Sequence, residues 1–559
     1  MGLGPKGLFA LERLLDHTRA LDRAIRMDVD VFEPHPSPGA GPIYDPSQPD
    51  YLRMNFAAGQ VDLWWPASGA VPAAERRSFV AWRAARHGSA EEYPARGRVG
   101  EYLAEGFEAL CRHAPPNVDV RICRTRVETA LPRGRGWVLR TAEAAHTFDE
   151  VLIAVGHQSR SATGLAAGWA HAAPLVPDVF PVERLLASDA LVPGATVAIR
   201  GFALTFIDAA LALTEGRGGR FEPLAHPYRL RYVPAGDDIG VLLPFTRSGR
   251  PVLAKPGPAV AARVHSLGRI AAEGRVRIAG LAGAVDLHGG LVPVLTAAAC
   301  ANLAAAAGCR DDRSLQVAVG RWLVEAACGV EASREPDPAE AIEQSLAVGA
   351  GRVPPGLPWA LGHTWRTLYP ALVSRLGGDG LAERDWPAFL RLSAEMERVA
   401  FGPPPLNAAK LLALIDAGRV DLTHVHGGQL VTANGRTAVR SRRGERAVDA
   451  VIDAVLPAPG ALGHAGLLAQ LVAAGHARMP AARRGLEITA NGSCRGADGR
   501  VTPGLSAIGR PTEDSVIGND TLGRALHPQV DRWARRVSQR CRDDYIAAAR
   551  RGVRERAPA

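Results

Sequence analysis

The chain opens almost directly on a glycine-rich loop, Gly2-Leu3-Gly4-Pro5-Lys6-Gly7, with only Met1 ahead of it. A loop of this spacing normally follows a buried strand and opens a helix, so that glycines make the tight turn and the helix N-terminus offers free backbone N–H groups to a pyrophosphate. The downstream half of that unit is present. Leu8, Leu11 and Leu15 recur at helical spacing, and Val29-Asp30-Val31-Phe32-Glu33 reads as the next strand, ending in a carboxylate. Glu33 stands where an acid would accept the ribose hydroxyls of an adenine dinucleotide. The upstream half is missing, so the first strand of the unit cannot be formed by the residues present. Because that strand is central in a doubly wound sheet, we expect about 5–10 further residues ahead of Met1, mostly Val, Ile, Ala or Leu.

Gly makes up 60 of 559 residues, so the bare glycine spacing is weak on its own. The ordered coupling of loop, helix, strand and Glu33 is what raises it to a nucleotide-binding reading. At 47% hydrophobic residues the chain can bury a large core and has room for two or three domains. The net charge of +9 would ordinarily suggest nucleic acid or an anionic membrane. The basic residues are nearly all arginine, with lysine only at Lys6, Lys255 and Lys410, and they are interleaved with acids. A solvated surface is expected rather than a nucleic-acid partner. The seven cysteines are scattered and form no C-x-x-C, which speaks against a zinc knuckle or a redox dithiol. No signal peptide is visible, and the apolar run Leu295 to Leu303 looks too short to span a bilayer. We expect no membrane partner and a cytoplasmic location.

Two stretches share a layout. The first contains Val118 to Ile122, Gly136 to Thr141, and Phe148-Asp149-Glu150-Val151-Leu152-Ile153-Ala154-Val155-Gly156. The second contains Gln429 to Thr432, a hairpin signal at Asn434-Gly435, Thr437 to Arg440, and Ala447-Val448-Asp449-Ala450-Val451-Ile452-Asp453-Ala454-Val455. Each is an antiparallel excursion followed by Asp, an apolar strand and a small-residue turn. Between them Ala195 to Arg200 reads as a strand, and Gly201-Phe202-Ala203-Leu204-Thr205-Phe206-Ile207-Asp208 as a second loop entering a helix. Ala203 stands where the second glycine would be, and its methyl would push a pyrophosphate outward. From about 258 to 420 the pattern turns helical, with breaks at Pro354-Pro355 and Pro403-Pro404-Pro405.

Together these features resemble the two-dinucleotide-binding flavoproteins. The closer resemblance is to the bacterial FAD/NAD(P)-binding family related to FAD-dependent urate hydroxylase and the lysine/ornithine N-monooxygenases. Gly2 to Leu8 is similar to its G-x-G-P-x-G-L opening. Gly41-Pro42-Ile43-Tyr44 with Leu52-Arg53-Met54-Asn55, and Tyr93-Pro94-Ala95-Arg96 with Gly100-Glu101-Tyr102-Leu103, resemble two further segments. Val151 to Gly156 and His157 resemble its A-T-G-H strand end, with Val155 for Thr. Gly201 to Asp208 resembles G-T-G-L-T-x-x-D, with Ala203 for Gly, and Gly504 to Gly509 resembles its C-terminal strand.

The resemblance implies an α/β fold of two Rossmann-like, three-layer dinucleotide-binding domains with a helical insert. We expect an FAD domain from 1–160 and 461–559, an NAD(P)-type domain from 190–257 and 421–460, and the insert at 258–420. It implies FAD held by Gly2, Gly4, Pro5, Lys6, Gly7, Glu33, Asn55, Gly156 and Gly509, and NAD(P)H held by Gly201 and Thr205. Arg247, in a segment similar to the family's S-R-x-G element, would meet the extra phosphate of NADPH; Arg250 is the neighbouring alternative. The expected activity is an FAD-dependent oxidoreductase in which NAD(P)H reduces the flavin and a small molecule is hydroxylated with molecular oxygen. A flavin reductase or dehydrogenase without oxygen insertion, or a non-catalytic nucleotide-binding accessory protein, are the alternatives. No catalytic side chain stands out. His424 and His426 would share one face of a strand but have no third metal ligand nearby, so no metal is expected. No G-x-S-x-G elbow supports a hydrolase. Trp64, Trp65 and Trp365 read as packing anchors. Oligomeric state is not readable.

Overall fold

The computed structural model describes residues 1–66, 68–157, 164–226, 228–256, 266–330, 336–456, 466–519 and 521–555. The first stretch of the chain forms α1 (Pro5–Thr18), β1 (Met27–Phe32), α2 (Phe79–His87), α3 (Arg96–Arg112), β2 (Val118–Cys123), β3 (Thr129–Arg133), β4 (Gly136–Arg140), β5 (Ala145–Phe148) and β6 (Val151–Ile153). Next come β7 (Leu175–Val176), α4 (Val182–Leu186), β8 (Thr196–Arg200), α5 (Leu204–Leu213), β9 (Arg220–Pro223), β10 (Leu230–Val233) and β11 (Val241–Phe245). A helical stretch follows: α6 (Leu267–Ala279), α7 (Val292–Ala307), α8 (Arg313–Cys328), α9 (Pro338–Gly349), α10 (Leu357–Leu376), α11 (Trp386–Ala400) and α12 (Pro405–Asp416). The chain returns through β12 (Gln429–Ala433), β13 (Arg436–Ser441), β14 (Gly444–Ala447) and β15 (Ala450–Asp453), then α13 (Leu467–Ala473), β16 (Ser493–Arg495), β17 (Val501–Ala507) and α14 (Gln529–Glu555).

Two compact units result, one from Met1–Gln48, Phe56–Ser159 and Ala458–Ala559, the other from Pro49–Asn55 and Arg160–Pro457. In the first unit β1 and β2 pair in parallel, from Met27 opposite Val118 to Phe32 opposite Cys123. Val118 to Ile122 therefore belongs to the main sheet, not to the antiparallel excursion with which the sequence pattern groups it. The excursion itself is the antiparallel sheet β3-β4-β5. A second sheet joins β6 in parallel to β17, which pairs antiparallel with β16. Met1 and Gly2 lie between the two parallel pairs. The Gly2 N–H donates to the Phe32 carbonyl at 2.9 Å, while the Ala154 N–H donates to the Met1 carbonyl at 2.8 Å. The apolar face of this sheet closes over Phe32, Trp137, Ile153, Leu468, Leu471 and Leu505. Each such side chain contributes about 1.5–3 kcal/mol on burial.

The second unit is built on a parallel sheet of order β11-β8-β15-β7. Its core stacks Val197, Ile199 and Ile452 of the strands against Phe206, Ile207 and Leu211 of α5 and Leu411, Leu412 and Leu414 of α12. Among the described residues β9 and β10 pair only with one another, and β11 takes the place beside β8 that the strand after α5 would usually hold. The second excursion is the sheet β12-β13-β14. Its turn carries φ 50° at Asn434 and φ 75° at Gly435, the left-handed pair that a two-residue hairpin of this hand requires.

In the helical stretch α7, α8, α11 and α10 pack in a ring, and α6 lies on α7 and α10. Trp365, Trp386, Phe389, Leu368 and Leu372 are buried in it. One sequence expectation fails here. A turn of π-helix at Leu287–Leu291 runs straight into α7, giving a 21-residue segment, Leu287–Ala307, whose most apolar 18 residues have a mean hydropathy of 1.7. By length and composition that segment could cross a bilayer. Half of its most apolar stretch is buried within the protein, as a core helix would be.

Candidate nucleotide-binding site

In the first unit the three loop glycines are needed for three different reasons. Gly2 has φ 86°, and a Cβ there would sit 2.5 Å from the Ala154 carbonyl oxygen. A Cβ on Gly7 would lie 2.2 Å from the Gly2 carbonyl oxygen, so glycine lets α1 butt against the loop. Gly4, the N-cap of α1, has an ordinary extended backbone (φ −76°, ψ −172°) and nothing within 4 Å of where its Cβ would be. Its glycine serves neither strain nor packing. It keeps open the space in front of a helix N-terminus, which is what the close approach of an anion requires. Pro5 sits at the first helical position, where a missing N–H costs nothing, and leaves the first-turn N–H groups beyond it for a ligand.

Glu33 is 6% exposed and follows β1. Its Oε2 accepts the Leu3 N–H at 2.6 Å and its Oε1 the His35 N–H at 2.8 Å. Two of about four lone-pair positions are thus committed to shaping the loop, leaving capacity for a hydroxyl donor. Lys6 runs past Gly509, where an added Cβ would lie 3.1 Å from Lys6 Cγ. Its ammonium is 3.5 Å from His527 Nδ1. Burial and the Lys6 charge push the His527 pKa down to about 3, so the ring is neutral. His527 Nε2 lies 3.1 Å from the Ile517 carbonyl and donates to it, which turns the Nδ1 lone pair toward Lys6. Gly156, with φ 63°, follows β6 beside the Gly2 turn, and a Cβ added there would likewise meet nothing within 4 Å.

Behind the loop, α1 is fixed by a buried ionic network. Arg524 donates to Glu12 at 2.7 Å and to the Leu63 carbonyl, and Arg13 donates to Asp531 of α14 at 2.8 Å. Both guanidinium groups lie 5.5 Å from the Trp65 ring. Glu12 is fully buried and is also met by Arg13 Nη1 at 3.4 Å, so two guanidinium groups share its charge.

The loop of the second unit keeps only one of those glycines. Gly201 has φ 113° and its N–H donates to the Phe245 carbonyl at 3.1 Å. Ala203 is the N-cap of α5 with an extended backbone (φ −117°, ψ −158°) and is exposed, so its methyl stands in the space left open at Gly4. Phe206, fully buried in the core of the second unit, occupies the third glycine position. Thr205 is buried in the first turn. Arg247 follows β11, the strand beside β8, and is exposed with no hydrogen bond or ion pair to any described residue. Arg250 is instead paired with Glu395, which also accepts from Arg398 at 3.2 Å. Arg247 is therefore the arginine with donors to spare.

Asn55 belongs to the second unit, whereas the other residues expected to hold the flavin belong to the first. Its side-chain amide donates to the Phe401 carbonyl at 3.4 Å, and Lys255 donates to its backbone carbonyl. No strand carries both histidines: His424 sits in a turn and His426 makes an isolated parallel bridge to Thr246. His424 Nδ1 faces Ser441 Oγ at 2.9 Å and His426 Nδ1 faces the Ser248 carbonyl at 2.7 Å. Among the described residues no three His, Cys, Asp or Glu side chains cluster as a metal site. The pair Arg200 and Asp453, at the carboxyl ends of β8 and β15, gave no signal in the sequence.

Residues 1–158 match the family described as FAD-NAD(P)-binding. Nitrosuccinic acid synthase npaA of Aspergillus oryzae is 34% identical over 253 residues, 42% of this chain and 38% of that protein. L-Aspartate N-monooxygenase (nitrosuccinate-forming) of Streptomyces davaonensis is 30% identical over 271 residues, 42% of this chain and 41% of that protein. The alignments thus span about two fifths of these curated relatives. Among solved structures, L-lysine 6-monooxygenase from Pseudomonas syringae aligns over 97% of this chain and 98% of its own, at 12% identity and a TM-score of 0.45. The N-terminal region thus matches an FAD-NAD(P)-binding family, and the chain is similar to N-monooxygenases over part of its length.

Proposed function

We propose that the protein is an FAD-dependent monooxygenase that takes electrons from NAD(P)H and hydroxylates the nitrogen of a small amine. The observation that carries this reading is the open space at Gly4, in front of a helix whose loop is held by Glu33, within a region that matches the FAD-NAD(P)-binding family. When bound, the flavin supplies the redox chemistry. The chain's own residues bind and orient it: Gly2 and Gly7 shape the turn, Gly4 admits the pyrophosphate, and Glu33 meets the ribose. Lys6, backed by neutral His527, brings one positive charge beside the first turn of α1. In the second unit Gly201 and Thr205 frame the nicotinamide dinucleotide, and exposed Arg247 reads its extra phosphate. The names of the two relatives favour an amino acid with an acidic side chain as substrate, L-aspartate first. Burial of half of Leu287–Ala307 favours a cytoplasmic protein over a membrane-inserted one.

A second reading rests on Ala203 and Phe206, which weaken the second loop: a flavoprotein with little use for NAD(P)H. Purified protein should be yellow and consume oxygen with NADPH only when L-aspartate or another small amino acid is present. Oxidation of NADPH that no amine accelerates would identify a reductase, and colourless protein that takes up no FAD would end the flavoprotein reading.

A further inference from the structure

We infer that Arg200 is a pyrophosphate-binding residue of the second unit, supplying the anion contact that its loop has lost. The inference rests on the NAD(P)-binding reading of that unit. Arg200 is the last residue of β8 and Asp453 the last of β15, and the two are register partners across the middle of the parallel sheet. β8 leads into α5 on one side while β15 arrives from a distant part of the chain on the other. Ligands of doubly wound sheets lie at such a junction, outside the carboxyl ends of the strands.

The pairing leaves the arginine half used. Arg200 Nε donates to Asp453 Oδ1 at 2.9 Å and Nη2 to Oδ2 at 2.8 Å. The carboxylate is then filled by two backbone donors, Val455 N–H at 3.1 Å and Leu165 N–H at 3.1 Å. Asp453 is 2% exposed at its side chain, whereas Arg200 is 29% exposed. Of the five guanidinium N–H groups, two are taken by Asp453, and no described residue accepts the others. A planar cation anchored on one edge and open on the other suits a phosphate oxygen pair.

The first unit shows why such a residue would be wanted here. Met1 holds the position before Gly2 that Arg200 holds before Gly201, and Ile153 the position that Asp453 holds. The loop with its glycines has no arginine, and the loop with Ala203 and Phe206 has one. A guanidinium reaches a pyrophosphate that a methyl group keeps from the backbone.

The test uses the FAD-loaded, 559-residue chain. Replacing Arg200 alone would leave the Asp453 charge buried without its guanidinium, so the informative variant is the double one, Arg200→Gln with Asp453→Asn, which keeps a neutral hydrogen bond in place. We expect this variant to melt like the parent and to bind both NADPH and NADH roughly 10- to 100-fold more weakly. Adenosine 2′-monophosphate, which lacks the pyrophosphate, should bind as before. Arg200→Lys, keeping the charge without the fork, should fall between. Unchanged NADPH affinity in the double variant would overturn the inference, as would equal losses for NADPH and adenosine 2′-monophosphate, which would make Arg200 a structural support. A parent protein that binds neither dinucleotide would instead remove the NAD(P)-binding reading itself.

Discussion

The two loops begin from the same pattern and solve opposite problems. Gly2, Gly4 and Gly7 let backbone come close to backbone and leave a space at a helix N-terminus. Gly201, Ala203 and Phe206 keep the turn but fill that space and put a buried ring at the third position. Only Gly2 and Gly201 need positive φ, and both have it. Of the three glycines in such a motif, the first is therefore demanded by the backbone, the third by packing, and the second by the ligand. A chain can lose the last two and still fold the unit.

That division is open to direct attack. The largest effects should come from a pair of changes, of which Gly7→Ala acts through a collision with backbone that no side-chain movement can relieve. Destabilisation of about 1–3 kcal/mol or more, with loss of flavin, is expected in denaturant melts. Its counterpart, Phe206→Ala, should cost about 3–5 kcal/mol for the opposite reason, a cavity. Equal tolerance at Gly7 and Gly4 would break the comparison.

Next in size is a pH effect confined to the first loop. His527 titrates near 3 when folded, well below its ordinary value of about 6.5. Its depressed pKa means that the unfolded chain binds the proton more readily, so stability from this group is complete above about 6.5 and is lost as pH falls toward 3. The slope should approach 1.4 kcal/mol per pH unit. His527→Gln should flatten that part of the stability curve, measured by denaturant melts from pH 7 to 4. An unchanged slope would show that other groups carry it.

Arg247→Ala should weaken NADPH by roughly 10- to 100-fold and leave NADH nearly unchanged, read by titration calorimetry. Equal losses would assign the arginine another task. The smallest effect, a few-fold at most by the same measurement, should come from Ala203→Gly, which removes a methyl but leaves Phe206 in place. It should tighten NADPH or leave it unaltered. The reciprocal change, Gly4→Ala, should lower FAD affinity without altering the melting temperature of the FAD-free protein.

The α/β fold was legible because its signals are local: loop, helical period, strand and turn each lie within a few residues of one another. Asn434-Gly435 dictated its hairpin, and Leu8, Leu11 and Leu15 their helix. The candidate site was legible only where it is built from the loop. That Glu33 grips Leu3, or that Lys6 meets His527, depends on pairings between separate elements with no periodic trace. Arg200 and Asp453 are 253 residues apart, and in an arginine-rich chain neither attracts notice. Asn55 belongs to a seven-residue segment, Pro49–Asn55, that crosses to the second unit, a change of allegiance that composition does not mark. The apolar segment is longer than its sequence suggests because alanine dilutes its hydrophobicity and a π-turn, invisible to a helical period, extends it.

That segment has a consequence for synthesis. Leu287–Ala307 leaves the ribosome well before α10 and α11, two of the helices that will share its ring, have been made. At 5–20 residues per second it waits on the order of 5–20 s with the face that α10 and α11 will cover still bare. During that interval a nascent chain is sticky, and chaperone supply and growth temperature, more than the final fold, would govern how much protein survives to bind a cofactor.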